Sequence, residues 1–216
     1  MKTSVLVIGL GRFGTAAARE LMALGHEVLV VDRDEARVND IAPEVTHAVQ
    51  ADASDEEALR SLGAADFDHA IVAISGEAEP SIFATMALKN LGVKNVIAKA
   101  GTAIHGSILE RVGANRVVYP EREMGARAAH AFGISHVVDY LDLAPGFGIV
   151  RFQPPTGWVG RALRDLDLSV RYQLSAIGLR RGAKVIVNPH RDEKIEAGDE
   201  LVLMGLDDNL AKLENA

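Results

Sequence analysis

The sequence predicts an α/β protein in which a doubly wound parallel sheet is followed by a small α+β domain. Three observations support this prediction. Short apolar runs alternate with helical segments over residues 1–133. The first run, residues 5–8, is apolar throughout, as a strand buried on both faces requires. After Gly133 the runs alternate in polarity and follow one another without long helices. The predicted domains are therefore residues 1–133 and 134–216.

The first domain is predicted to contain six strands and six helices, each joined to the next by a short loop. The predicted strands are residues 5–8, 26–31, 46–50, 68–74, 95–98 and 116–119. The predicted helices are residues 15–24, 35–41, 55–62, 79–91, 104–112 and 121–132. Gly25, Gly63, Gly92 and Gly113 each directly follow one of these helices and favour its termination. Asp34 and Ser54 are the expected N-caps, with Glu57 completing a capping box after Ser54.

The second domain is predicted to contain five strands and two short helices. The predicted strands are residues 134–143, 147–152, 174–179, 184–187 and 200–204, and the predicted helices are residues 157–165 and 207–214. Turns at Arg181-Gly182 and Ala197-Gly198-Asp199 separate the last three strands, which favours antiparallel pairing.

Composition excludes several classes of function. The net charge is −7, both predicted domains are acidic, and no basic cluster alternates with aromatic residues. Binding to nucleic acid is therefore not expected, because it depends on neutralising phosphates. Apolar runs are too short to cross a membrane, and no secretory signal is visible. The absence of cysteine removes thiolate metal sites and disulfides. We expect a cytoplasmic protein.

A glycine-rich loop follows the first predicted strand and precedes a helix. Its sequence, GLGRFG, has glycines at positions 9, 11 and 14. Gly9 permits a tight turn, Gly11 allows the backbone to approach phosphates, and Gly14 allows the helix to pack closely on the strand. The free N–H groups and positive dipole end of the helix favour an anion there. The pattern predicts a Rossmann-type site for an adenine nucleotide.

Asp32 strengthens that prediction. It follows the second predicted strand, near the spacing at which such folds place an acid that accepts hydrogen bonds from ribose hydroxyls. Its charge disfavours a 2′-phosphate, although the neighbouring Arg33 leaves NADP open. Arg12, within the loop, is interpreted either as a solvated charge or as a clamp on a terminal phosphate, and we favour the clamp.

Further candidates follow the other strands, because the carboxyl ends of parallel strands face one crevice. Asp52 and Ser54 come after strand three and are placed to face the adenine, although a capping role is favoured for Ser54. Lys99 ends strand five, and Glu121 follows strand six, where it is either a first-turn helix acid or a ligand of a divalent cation. The remaining candidate contacts for the nucleotide are Phe13, Ala53, Ala73 and Ile74.

Groups that an oxidoreductase needs are not evident. The seven histidines are scattered without metal-ligand spacing, and no Tyr-x-x-x-Lys, G-x-S-x-G or Walker lysine motif occurs. We interpret the histidines as core or surface residues. An NAD(P)-dependent oxidoreductase is therefore kept only as the alternative hypothesis.

Several segments taken together resemble one known family. They are GLGRFG, VVDRDEARV, ADASDEEALRSLG, DHAIVAI, ERVGANRVVYPEREMGARAA and EKIEAGDELVLMG. Over essentially the whole chain they are similar to the RCK family, regulators of potassium conductance built from TrkA-N and TrkA-C domains. With one copy of each domain, the chain most resembles the KtrA-type gating subunits.

The resemblance implies a nucleotide-sensing regulatory subunit rather than an enzyme. It implies a homodimer that assembles into an octameric ring at the inner face of the membrane, beneath a KtrB- or TrkH-like potassium transporter. It also implies ATP or ADP as ligand, with NAD(H) as a further candidate, and cyclic di-AMP as a candidate ligand of the second domain. By resemblance, Arg12 contacts phosphates, Asp32 binds ribose, and Glu121 lies beside Mg²⁺ or Ca²⁺ near the dimer interface.

Overall fold

A computed structural model describes residues 3–74, 76–133 and 136–215. The chain divides into two compact units, Met1–Glu121 and Arg122–Ala216. The predicted boundary after Gly133 lies later, at the end of the helix that continues the chain from the first unit into the second. The domain boundary predicted between residues 133 and 134 stays a prediction, because residue 134 lies outside the described residues.

The described part of the first unit forms one parallel six-stranded sheet with the order β3-β2-β1-β4-β5-β6. The strands are β1 Ser4–Ile8, β2 Glu27–Asp32, β3 His47–Gln50, β4 His69–Val72, β5 Asn95–Lys99 and β6 Arg116–Val118. The helices of this unit are α1 Arg12–Ala23, α2 Glu35–Ile41, α3 Glu56–Ser61, α4 Ala78–Asn90 and α5 Ala103–Arg111. Helix α6, Pro120–Gly133, begins at the end of this unit and continues into the second. This strand order confirms the predicted doubly wound sheet. The order in which successive strands are added reverses between β1 and β4, while all strands stay parallel.

Both faces of this sheet are covered by helices, which explains why β1 is apolar throughout. Leu6 and Ile8 belong to one buried cluster, with Leu88 of α4. Val5 and Val7 belong to a second cluster on the opposite face, with Ala18 of α1. Side chains alternate along a strand, so a strand between two helical layers must be apolar at every position.

Two local predictions in the first unit need correction. Helix α1 begins at Arg12 rather than at residue 15, so Arg12 occupies its first position. The N-cap of α3 is Asp55 and not Ser54, since the Asp55 carboxylate accepts the N–H of Glu57 at 2.9 Å. Glu57 therefore lies in the first turn of α3 and does not complete a capping box with Ser54. The predicted Asp34 cap of α2 is confirmed by its bond from Ala36 N, at 3.0 Å.

The second unit contains an antiparallel five-stranded sheet with the order β10-β9-β11-β8-β7. Its strands are β7 Val137–Ala144, β8 Phe147–Phe152, β9 Ser175–Arg181, β10 Lys184–Val187 and β11 Glu200–Leu206, and its short helix is α7 Asp207–Leu210. The predicted α+β domain is thus confirmed. The predicted strand start at Ile134 and Ser135 lies outside the described residues.

The predicted helix over residues 157–165 is wrong. Two short 3₁₀ segments, Thr156–Trp158 and Leu163–Leu166, stand there instead. Between them Gly160 has φ of +86°, a left-handed conformation that ends a right-handed helix. A short π-helical segment, Leu168–Tyr172, follows between left-handed residues and was not predicted.

None of the described helices is long and apolar enough to span a membrane.

Candidate functional site

The glycine loop takes the conformation that its sequence predicts. Gly9 has φ of +93°, and a Cβ placed on it would lie 2.9 Å from the backbone nitrogen of Ile74. A Cβ on Gly14 would lie only 1.9 Å from the carbonyl oxygen of Gly9. Glycine is therefore required at both positions, first for the turn and then for the approach of α1 to the loop. The role of Gly11, which lines the cleft described below, stays a prediction.

The loop leads into the exposed N-terminus of α1. No side chain caps this helix, and its first turn contains no acidic residue. N–H groups at the start of a helix carry a partial positive charge and favour a bound anion. Arg12 is the first residue of the same turn, and its guanidinium lines the cleft. This end of the cleft is therefore electropositive.

Asp32 joins the glycine loop to the start of α2 through hydrogen bonds. It is 7% exposed, and its Oδ2 accepts the N–H of Leu10 in the glycine loop at 2.5 Å. Its Oδ1 accepts the N–H of Asp34 at 2.9 Å, and Arg37 lies 3.7 Å from Oδ2. Each carboxylate oxygen has more than one acceptor direction. The group can therefore bind the loop and still accept a hydrogen bond from a ribose hydroxyl.

Asp52 and Ser54 form a second polar group after β3. The Oδ1 of Asp52 accepts the hydroxyl of Ser54 at 2.6 Å and the N–H of Ser54 at 2.9 Å. These two hydrogen bonds lower the pKa of Asp52 below its ordinary value, and the nearby charge of Arg33 adds to the effect. Asp52 is thus held as a carboxylate by Ser54, whose hydroxyl has this role instead of capping α3.

An ion pair lies at the ends of β5 and β6. The Nζ of Lys99, at the end of β5, donates to Oε1 of Glu121 at 2.6 Å. The side chain of Lys99 is 9% exposed, whereas that of Glu121 is 65% exposed. The hydrogen bond from Lys99 is the main cause that lowers the pKa of Glu121, and the charge of Arg12 contributes. Arg12, Lys99 and Glu121 therefore form one charged group.

The carboxyl ends of the strands enclose a cleft of about 520 Å³, a size typical of small-molecule sites. It lies where the strand order reverses, the position at which open α/β sheets bind ligands. All the predicted site residues except Gly14 line it: Gly9, Gly11, Arg12, Phe13, Asp32, Arg33, Asp52, Ala53, Ala73, Ile74, Lys99 and Glu121. Gly14 packs behind the loop. The structure thus brings the predicted residues together, while their contacts with a ligand stay predictions.

Sequence reasoning did not select several other lining residues. Arg37 reaches the cleft from α2, one turn after Asp34, with which it also pairs at 3.3 Å. Glu77 and Pro80 line it from the start of α4. The rule that strand ends share one crevice applies to the loop after β4 and would have identified Glu77. Arg37 gives no such signal, because its position follows from helix rotation and side-chain length.

The described histidines include one with a defined core role. The Nε2 of His105 on α5 lies 2.7 Å from Oγ of Ser81 on α4, which also donates to Ala78 O at 2.8 Å. Ser81 is fully buried, and burial lowers the pKa of His105. Because the hydroxyl proton is directed to Ala78, the Nε2 of His105 must donate. This supports the interpretation of His105 as a structural residue that joins two helices.

Metal binding at Glu121 is not supported by the arrangement of this single chain. Among residues 3–74, 76–133 and 136–215, no group of three or more His, Cys, Asp or Glu side chains is placed to hold a metal ion. The carboxylate of Glu121 is neutralised by Lys99, and Arg12 adds a second positive charge nearby. A divalent cation at Glu121 therefore stays a prediction from the family resemblance.

Fold and cleft together define a Rossmann-type α/β domain joined to a small antiparallel domain. Family models match both parts, the TrkA-N domain over residues 5–120 and the TrkA-C domain over residues 148–216. The chain belongs to the TrkA-N and TrkA-C family, which confirms the resemblance stated from its motifs.

Curated relatives agree with that assignment, and a solved structure shares the fold. The chain is 38% identical to the Ktr system potassium uptake protein C of Bacillus subtilis (strain 168), over 99% of this chain and 97% of the relative. It is 35% identical to the Ktr system potassium uptake protein A of the same organism, over 97% and 94%. A GsuK channel bound to NAD shares its fold, with a TM-score of 0.68 and 21% identity over 99% of this chain. Our chain corresponds to only 39% of that channel's length.

Proposed function

We propose that this protein is a cytoplasmic regulatory subunit of a potassium uptake system, controlled by a nucleotide bound in the cleft of its first unit. The observation that carries the proposal is the near full-length likeness to two Ktr system potassium uptake proteins. Likeness over both domains supports a shared role better than likeness of the nucleotide-binding fold alone, because that fold serves many functions.

The cleft supports the ligand part of the proposal. It offers a ribose acceptor at Asp32, a helix N-terminus for phosphates, and the positive side chains of Arg12 and Lys99 beyond it. A ribose acceptor together with positive groups for phosphates suits ATP or ADP. NAD(H) presents a pyrophosphate at the same place and stays a second candidate.

The regulatory mechanism follows from differential binding. A ligand shifts a protein between two states only by the difference in its affinity for them. We propose that Arg12, at the start of α1, distinguishes a triphosphate from a diphosphate. We propose that this difference changes the conformation of an octameric ring built from dimers of this chain. The ring acts at the inner face of the membrane on a KtrB- or TrkH-like potassium transporter. Binding of cyclic di-AMP by the second unit stays a prediction from the resemblance.

The proposal is preferred to the alternative of an NAD(P)-dependent oxidoreductase. The relatives that support it are potassium uptake proteins and cover the whole chain. The two hypotheses separate in one measurement, because an oxidoreductase must turn over NAD(P)H with a substrate, whereas a regulatory subunit binds its nucleotide without consuming it.

The test is potassium uptake in the source organism after deletion of this chain. We expect slower rubidium influx at limiting external potassium, restored by the wild type and by the control Asp40→Asn, an exposed residue of α2, but not by Asp32→Ala. Native mass spectrometry of the purified protein is expected to show about eight subunits with bound nucleotide. Normal uptake in the deletion strain would overturn the proposal.

A further inference from the structure

An arginine of α2 lies beside the acid that ends β2. Arg37 lines the cleft, with its Nε 3.3 Å from Oδ2 of Asp34 and its Nη1 3.7 Å from Oδ2 of Asp32. The side chain of Arg37 is 53% exposed. Two carboxylates therefore hold one flat, partly uncovered cation next to the proposed acceptor of the ribose.

These ion pairs leave another part of the guanidinium available to a ligand. A guanidinium donates hydrogen bonds within its own plane and stacks on aromatic rings through its faces. Pairing with carboxylates uses the donors in the plane. Arg37 can thus stay paired with Asp34 and cover a flat ring at the same time.

The base of a nucleotide lies close to its ribose. The base is joined to C1′, next to the 2′-hydroxyl, so a ribose held by Asp32 brings the base to the residues around that carboxylate. Among the cleft-lining residues that the structure describes, Phe13 is the only aromatic one, and it belongs to α1. The charge of Arg33, which also lines this end, lies near Asp52. Arg37 is the planar side chain that pairs with Asp32.

The charges around Arg37 suit a neutral base better than a 2′-phosphate. Three carboxylates line this end of the cleft, those of Asp32, Asp34 and Asp52. Only two guanidiniums oppose them there, those of Arg33 and Arg37. A phosphate would meet a net negative group, whereas a purine carries no charge.

We infer that Arg37 binds the base of the nucleotide by laying its guanidinium against one face of the adenine, while Asp32 holds the ribose. Arg37 thereby favours a purine over a pyrimidine, whose smaller ring offers less surface for stacking. This inference rests on the proposed function, since it requires a nucleotide in the cleft.

The experiment is isothermal titration calorimetry of the full chain with adenosine, ADP, ATP and UDP. We expect Arg37→Ala to raise the Kd for adenosine, ADP and ATP by one common factor, about three- to tenfold, because the base is the same in all three. UDP is expected to bind the wild type more weakly than ADP and to lose less on this substitution.

Two variants separate stacking from charge. Arg37→Lys keeps the positive charge but not the plane, and we expect most of the loss to remain. The matched control is Arg60→Ala on α3, which removes an equally exposed arginine that pairs with Glu56 at 2.8 Å and Glu57 at 3.4 Å outside the cleft. It is expected to change none of these affinities.

Several results would overturn the inference while leaving the proposed function standing. Unchanged binding by Arg37→Ala, or full recovery by Arg37→Lys, would exclude stacking. Equal losses for ADP and UDP would show that Arg37 acts only through Asp32 on the ribose. A loss that grows from adenosine to ATP would indicate a contact with phosphates, and a wild-type preference for NADP over NAD that Arg37→Ala removes would indicate a 2′-phosphate. A wild-type chain that binds no nucleotide would overturn both proposals.

Discussion

Replacing Asp32 by asparagine tests the centre of the site. The two carboxylate oxygens accept the N–H groups of Leu10 and Asp34, at 2.5 and 2.9 Å. An asparagine keeps the shape but offers only one oxygen, so its amide NH₂ must face one of these two donors. Asp32→Asn therefore loses one charge-assisted hydrogen bond and weakens the other.

The expected magnitude follows from these two bonds. Hydrogen bonds to charged groups each contribute about 1.5–3 kcal/mol, so we expect the free energy of unfolding of the first unit to fall by about 2–4 kcal/mol. Loss of the charged acceptor for a ribose hydroxyl is expected to reduce the binding free energy of ADP by a similar amount, about 1.5–3 kcal/mol. This corresponds to roughly a 10- to 150-fold rise in the Kd for ADP. Thermal unfolding measures the first effect, and calorimetry well below the transition measures the second.

A modified ligand separates direct contact from disturbance of the loop. If Asp32 binds the ribose, wild-type protein binds 2′,3′-dideoxy-ADP more weakly than ADP, and Asp32→Asn adds little further loss for the dideoxy ligand. The control Asp40→Asn is expected to bind both ligands like the wild type. Equal losses for ADP and dideoxy-ADP on Asp32→Asn would refute the ribose contact and leave Asp32 a support of the loop.

Three further predictions follow from the same structure. Arg12→Ala is expected to weaken ATP more than ADP in calorimetry, and equal losses would contradict a contact with the terminal phosphate. Gly14→Ala is expected to lower the Tm by several degrees and to abolish ADP binding, since its Cβ would lie 1.9 Å from the oxygen of Gly9. The control Gly125→Ala, on α6, places a Cβ with no atom within 4 Å and is expected to keep ADP binding and to leave the Tm unchanged or slightly higher, because alanine favours a helix over glycine. Burial lowers the pKa of His105 in the folded chain, so stability is steady above the unfolded pKa of about 6.5 and falls as pH drops below it; urea unfolding at pH 7.5 and 5.5 should show a smaller fall for His105→Gln.

Local sequence was sufficient for the parts of the site that depend on neighbours in the chain. The glycine loop needs a strand before it and a helix after it, and both are visible as apolar periodicity in the sequence. Gly9 has its left-handed conformation because of the turn in which it stands. Asp32 ends a strand that pairs in parallel with β1, so the strand order of this fold places it beside the loop.

Some local predictions were wrong because neighbouring residues offer more than one arrangement. Ser54 was expected to cap α3, but the neighbouring Asp55 takes that role and Ser54 supports Asp52. The left-handed conformation of Gly160 breaks the helix predicted over residues 157–165, and no periodicity in the sequence marks it.

The sequence by itself determined the fold class, the glycine loop and the acid at the end of β2, because hydrophobic periodicity and glycine spacing express local backbone requirements. Only the tertiary structure decided that Lys99 and Glu121 form an ion pair and that Arg12 lies within range of it. Each of these residues alone is compatible with several roles. Their pairing depends on how two loops meet at the edge of the sheet and on how deeply one amine is buried, and neither quantity is written in the spacing of the residues.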